Sequence, residues 1–97
     1  MKIKYLGHSS FRLTESTGIT IVTDTYSSSI GCSMPETSAD VVTVSHHHYD
    51  HDAVSEVKGN PKVIDKEGNY DLTGVEINSI KSFHDGEQGR LRGENII

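Results

Sequence analysis

Cysteine, proline and aromatic side chains are all scarce in this sequence. The single cysteine, Cys32, excludes an internal disulfide and a zinc cluster built on thiolates. Tryptophan is absent and only 33% of the 97 residues are apolar, which limits the chain to one domain with a modest core. Basic clusters are missing as well. The formal net charge of −5 argues against nucleic acid or an anionic membrane as a main partner. No long apolar run occurs either. The opening MKIKYLGHSSF lacks the continuous apolar stretch of a signal peptide, and nothing reaches membrane-spanning length. A cytoplasmic, reducing setting is the expectation.

What the chain does have is strand periodicity. Lys2 to Leu6 alternates polar and apolar, Ser10 to Thr14 alternates again after Gly7, and Ile19 to Thr25 is β-branched. These segments predict an N-terminal meander of short antiparallel strands. Residues 26–40 are Ser-rich, with Gly31 and Pro35, and read as a surface loop. Val41 to Val44 is a continuous β-branched run, as expected of a strand buried on both faces. Asp50 and Asp52 ahead of Ala53, Val54 and Val57, with Gly59 and Pro61 behind, predict a helix of two or three turns. A strand at Lys62 to Ile64, a turn at Gly68 and Asn69, and a strand from Val75 to Phe83 come next. The polar tail reads as a loop. The fold class is α+β with an α/β-like character, mostly strand, in a single domain over 1–97.

The densest chemistry is SHHHYDHDAV, residues 45–54, which holds four of the six histidines. Imidazole and carboxylate bind zinc, manganese or iron when three or four donors converge within about 2–2.3 Å. Residues two apart on an extended chain point the same way, so His46, His48 and Asp50 share one side. Where the backbone turns, His51 can swing back toward the same cavity. Asp50 and His51 together suit a second ion beside the first, and two such ions can lower the pKa of a shared water toward neutrality. Open α/β sheets place their sites at the carboxyl end of a buried strand, where this cluster lies. A purification tag would sit at a terminus and lack aspartates at fixed offsets. A solvated loop would leave this composition arbitrary. The spacing His-x-His-x-Asp-His marks a metal site.

These residues, His46, His48, Asp50 and His51, resemble the signature of the metallo-β-lactamase-fold hydrolases, a superfamily built as an αβ/βα sandwich. The opening YLGHSSFRL is similar to the branch containing ascorbate-6-phosphate lactonase and related zinc-dependent hydrolases. The segment VTDTY resembles the one that puts an aspartate beneath the site, a place Asp24 would fill. His84, at a strand end and close before a glycine, looks like the third histidine of the first metal position. The resemblance thus assigns His46, His48 and His84 to one ion, and Asp50 and His51 to the other. His47 and Tyr49 occupy variable positions and are expected to pack locally or face solvent. His8 either reaches the pocket or bonds within its own turn. Asp24 either orients a metal-bound histidine or caps the turn after it. Cys32 reads as a loop residue.

The resemblance spans the chain but only the first half of the family's domain, whose later half supplies a bridging aspartate and a final histidine. The closing ENII reads as the start of a strand, so a truncated longer protein is expected, with an uncovered sheet face and a homo-oligomeric state. The implied function is hydrolysis of a small ester, lactone or phosphoester by a metal-activated water. Zn2+ is the expected cofactor, as one or two ions, with Mn2+ or Fe as alternatives, and Asp50 is the candidate for proton delivery to the leaving group. The alternatives are a metal-binding or assembly fragment without turnover and a redox-active iron protein.

Overall fold

Alternating and β-branched segments set the architecture. The computed structural model describes residues 1–27, 31, 33–47, 50–72, 74–82 and 95–96. In chain order the strands are β1 (Lys2–Gly7), β2 (Ser10–Thr14), β3 (Thr20–Thr23), β4 (Thr37–Ser38), β5 (Val41–Thr43) and β6 (Val57–Lys58). The later strands are β7 (Lys62–Ile64), β8 (Gly68–Leu72), β9 (Val75–Ser79), β10 (Lys81–Ser82) and β11 (Asn95–Ile96). The central sheet runs β1-β2-β3-β5-β7. Its first three strands are the antiparallel meander that the alternation predicts. β5 and β7 then join parallel, with Thr23 opposite Thr43 and Thr43 opposite Ile64. Three strands therefore end at one level, and the residues just past them, Asp24, Val44 and Asp65, leave the sheet side by side.

Strand period two divides the core between two faces. Leu6, Val22 and Val42 pack with Val44 and Val57 on one. Ile21, Val41 and Ile64 pack on the other, beneath Tyr70, Leu72, Val75 and Ile77 of the β8–β9 hairpin. Val42, Val44 and Ile64 are completely inaccessible. Cover on the second face is partial. Ile3 pairs with Leu13 and Tyr5 with Phe11, yet Ile3 is 67% and Tyr5 60% exposed. Among the described residues no helix is long and apolar enough to cross a membrane.

Two expectations are corrected. The helix after the histidine cluster does not form. Val54–Glu56 makes one 3-10 turn, and the chain continues extended as β6, parallel to β4. The aspartates read as helix-start charges are engaged elsewhere: Asp50 with His8, and Asp52 with His47 and through a backbone bridge to Thr25. The few residues left before Gly59, with β-branched Val54 and Val57 among them, are too short a run to offset helix nucleation. The second correction is at Gly68 and Asn69. Both lie inside β8, paired with Ser79 and Asn78, and the reversal comes earlier, around Lys66 and Glu67.

Ile64 touches the packed face and sits at the level from which the loops leave. Ile64→Ala is expected to lower unfolding free energy by about 2–5 kcal/mol. Ile80→Ala, at a side chain that is mostly exposed, should change it by less than about 0.5 kcal/mol. Urea titrations of both variants check this contrast.

Candidate metal centre

The segments that leave the ends of β3 and β5 assemble the site. Asp24 leaves β3 with φ 42°, and its N–H donates to the Thr43 carbonyl at 2.9 Å. The turn aims its carboxylate at the start of the histidine segment. Ser45 N–H donates to Oδ1 at 2.7 Å, Ser45 Oγ donates to Oδ2 at 2.7 Å, and His51 Nδ1 lies 3.0 Å from Oδ2.

These contacts determine where the imidazole protons sit. A carboxylate only accepts, so His51 carries its proton on Nδ1 and turns a lone pair outward on Nε2. Ser45 gives its hydroxyl proton to Asp24, so its oxygen accepts from His46 Nδ1–H at 2.9 Å. His46 likewise has its lone pair on Nε2. The two rings lie side by side, with centroids 4.1 Å apart. One aspartate thus sets both histidines in the tautomer that binds a cation through Nε2.

His8 arrives from the opposite direction. Gly7 and His8, both at positive φ, make the tight reversal between β1 and β2. Tyr26 Oη, donating to the Leu6 carbonyl, occupies the space a Cβ at Gly7 would need. Tyr5 Oη donates to the His8 carbonyl at 2.7 Å. The turn presents His8 Nε2 at 3.0 Å from Asp50 Oδ2, with its ring centroid 5.5 Å from that of His51. His51 Nε2 is 3.6 Å from the same Asp50 oxygen. Burial pushes the Asp50 carboxyl up, but the His8 hydrogen bond and the nearby His51 outweigh it and hold Asp50 below the ordinary carboxylate value. Among the described residues, His8 and Asp24 are the non-glycine positions at positive φ, and both contact this cluster.

His8, Asp50 and His51 offer donor atoms that all lie within 4.8 Å of one another. Two imidazole nitrogens and a carboxylate oxygen are a suitable set for a divalent transition metal. Tetrahedral bonds of about 2.0–2.1 Å separate donors by roughly 3.3 Å, and the observed 3.0 and 3.6 Å bracket that spacing. Asp24 behind His51 is the carboxylate partner that metal-binding histidines regularly have. The residues present fit a cation.

Of the other residues singled out from sequence, His48, His84, Tyr49 and Cys32 lie outside the described residues. His47 turns away from the centre, and its nitrogens meet Asp52 at 3.2 Å and Asp65 at 3.0 Å. Sequence reasoning leaves His8 open between pocket and turn. The signal for its place is the Gly7-His8-Ser9 reversal between two alternating strands, which can only project outward at the sheet end.

The fold agrees with that of the chain's relatives. The chain belongs to the beta-lactamase superfamily, whose domain model matches residues 2–97. Among solved structures it is similar to a Thermotoga maritima protein assigned as a Zn-dependent hydrolase of the metallo-β-lactamase superfamily. Sequence identity is 42% and the TM-score 0.70, over 97% of this chain and 40% of that one. The chain therefore spans about two-fifths of that protein's length. No curated protein matches it.

Removing the Asp24 carboxylate leaves three partners to be resatisfied. Asp24→Ala is expected to lower unfolding free energy by about 2–4 kcal/mol, through lost hydrogen bonds and a left-handed alanine. Asp24→Asn keeps an acceptor oxygen and tolerates the backbone, and should lose distinctly less. Equal losses in a urea titration would contradict this account of the turn.

Proposed function

We propose that the chain carries the cation-binding part of a metal-dependent hydrolase acting on a small ester, lactone or phosphoester. The observation that carries this reading is the convergence of His8, Asp50 and His51, with Asp24 backing His51. Asp50 and His51 take the second-ion position, with His8 as a third donor. His46, prepared through Ser45, serves the neighbouring position together with His48 and His84. Zinc is the cation favoured by likeness to the Thermotoga protein, and the same donors accept manganese or iron.

A cation in this place supplies Lewis acidity, lowering the pKa of a water and polarising the carbonyl or phosphoryl oxygen of the substrate. The chain's own residues do the rest. Asp24 holds His51 in one tautomer and one orientation. Asp50 is the group placed to pass a proton toward the leaving group. The lactone and phosphoester classes rest on the likeness of YLGHSSFRL to the ascorbate-6-phosphate lactonase branch.

Zinc titration of the chelator-treated chain, read by calorimetry, is expected to give one tight ion per chain. His51→Ala should weaken it at least tenfold. Hydrolysis of generic lactone and phosphodiester substrates, if the chain turns over alone, should vanish on chelation and return with zinc. Absence of zinc binding would sink the reading.

A second reading, a cation-binding piece that acts with more protein, is favoured by the 40% coverage and the bare apolar face. Ile3, Tyr5 and Phe11 adjoin an open apolar cavity of about 290 Å³ lined by Leu13, Ile21, Val44 and Ile77, with Asp24 at its margin. We propose that a second copy covers this face when the chain is alone. Light scattering at micromolar concentration should report a dimer or larger. A clean monomer with cooperative unfolding would rule out self-association.

A further inference from the structure

His47 belongs to no candidate ligand set, yet both of its ring nitrogens are engaged. Nδ1 meets Asp52 Oδ2 at 3.2 Å and Nε2 meets Asp65 Oδ2 at 3.0 Å. The two aspartates stand on different parts of the fold. Asp52 is fixed to the end of β3, because it forms a backbone bridge with Thr25 and the next residue, Ala53, donates its N–H to the Thr25 carbonyl at 3.2 Å. Asp65 is the first residue after β7, at the edge of the central sheet. The imidazole therefore ties the segment that carries His46, Asp50 and His51 to the outermost strand. On the inner side, Asp24 already ties that segment to β3 through Ser45 and His51.

We propose that Asp52, His47 and Asp65 form a clasp that positions the cation-binding segment, with His47 as a positioning residue that touches neither cation nor substrate. Two features favour this over an ornamental surface pair. His47 directly follows a bend at Ser45 and His46, so anchoring its imidazole away from the centre fixes how that bend presents the His46 ring to His51. Three histidines in a row also leave the register open, since a slip by one residue would offer His47 in place of its neighbour. Two carboxylates, one anchored beside Thr25 and one just past β7, remove that ambiguity.

The His47 side chain is 62% exposed. Ion pairs in so open a setting contribute little to global stability. The clasp is accordingly expected to act on the segment and to leave the fold intact. This inference rests on the proposed cation site for its purpose, but its central claim concerns the order of a loop and can be read without any cation.

The test uses the 97-residue chain with His47→Ala, Asp65→Ala, the double variant and Asp65→Asn. Hydrogen exchange on the cation-free protein comes first. Both alanine variants should raise exchange of the Ser45, His46 and Ala53 amides about fivefold, with the β1–β3 amides and the melting temperature nearly unchanged. The double variant should resemble His47→Ala, because that single change already removes both carboxylate contacts. Asp65→Asn keeps an acceptor and should fall between. Cobalt titration then reads the site, with about tenfold weaker binding and a broadened visible spectrum in the alanine variants. Unchanged loop exchange, or effects that add in the double variant, would overturn the clasp. So would cobalt binding that tightens in Asp65→Ala, the mark of His47 as a ligand. If the unmodified chain binds no cobalt or zinc, the proposed function falls, while hydrogen exchange still decides the clasp.

Discussion

Everything at the functional end of this molecule depends on the carboxylate of Asp24. It accepts from the Ser45 N–H, the Ser45 hydroxyl and His51 Nδ1 at once. Hydrogen bonds to a charged acceptor contribute about 1.5–3 kcal/mol each, against roughly 1–3 kcal/mol for a residue held at positive φ. The turn is thus stable with its strain included. It is also directional, because only a left-handed residue at this point swings the carboxylate back over the end of β5. The proton arrangement is a consequence of the acceptor-only chemistry of that one group. His51 is set directly, and His46 is set through the Ser45 hydroxyl.

The sheet supplies the frame in which this works. β3, β5 and β7 are parallel and end in register, so Asp24, the histidine segment and Asp65 emerge from one edge as neighbours. Parallel register in turn needs both faces covered. Val22, Val42 and Val44 are packed on one side, and Ile21, Val41 and Ile64 on the other. A slip of any of these strands by one residue would turn its apolar set outward and carry the site residue at its end to the wrong face. Core packing and site geometry are therefore a single constraint. His8 is held to the same standard, since Gly7 admits the Tyr26 ring beneath the turn and so fixes the level at which the imidazole meets Asp50.

The meander and the buried Val41–Val44 strand were legible because period two and β-branching are local signals. The sequence cluster also showed where chemistry gathers. Two things were not legible. Acidic residues at a start and glycine at an end predict a helix after the cluster, and those same acids are drawn to His8 on a distant turn and to His47, five residues before Asp52. A capping pattern cannot reveal that its charges have been recruited by tertiary partners. Gly68 and Asn69 look like a turn, but the apolar residues Tyr70, Leu72, Val75 and Ile77 gain more by extending the hairpin over Ile64 than the dipeptide gains by bending. The role of His8 was undecided for a related reason: its partner lies forty-two residues away, beyond any local pattern.

A chain that covers two-fifths of a longer similar protein raises the question of what this part can hold by itself. The contacts among the described residues give a specific answer. Asp24, Ser45, His46, Asp50, His51 and His8 reach one another without help from anything beyond Asp65, and the strands that carry them are completed by Ile64. The donor set of His8, Asp50 and His51 is therefore a local property of the first two-thirds of this chain. Covering the apolar face over Ile3, Tyr5 and Phe11 is a separate matter, governed by buried area and not by imidazole geometry. The two can be lost or gained independently, because no described contact links the exposed side chains of Ile3 and Phe11 to the donor atoms. Tyr5 is the exception. Its ring packs against Phe11 with centroids 5.2 Å apart, while its hydroxyl holds the His8 carbonyl. A partner that covers this face also meets the cavity margin, where Asp24 and Ser45 stand.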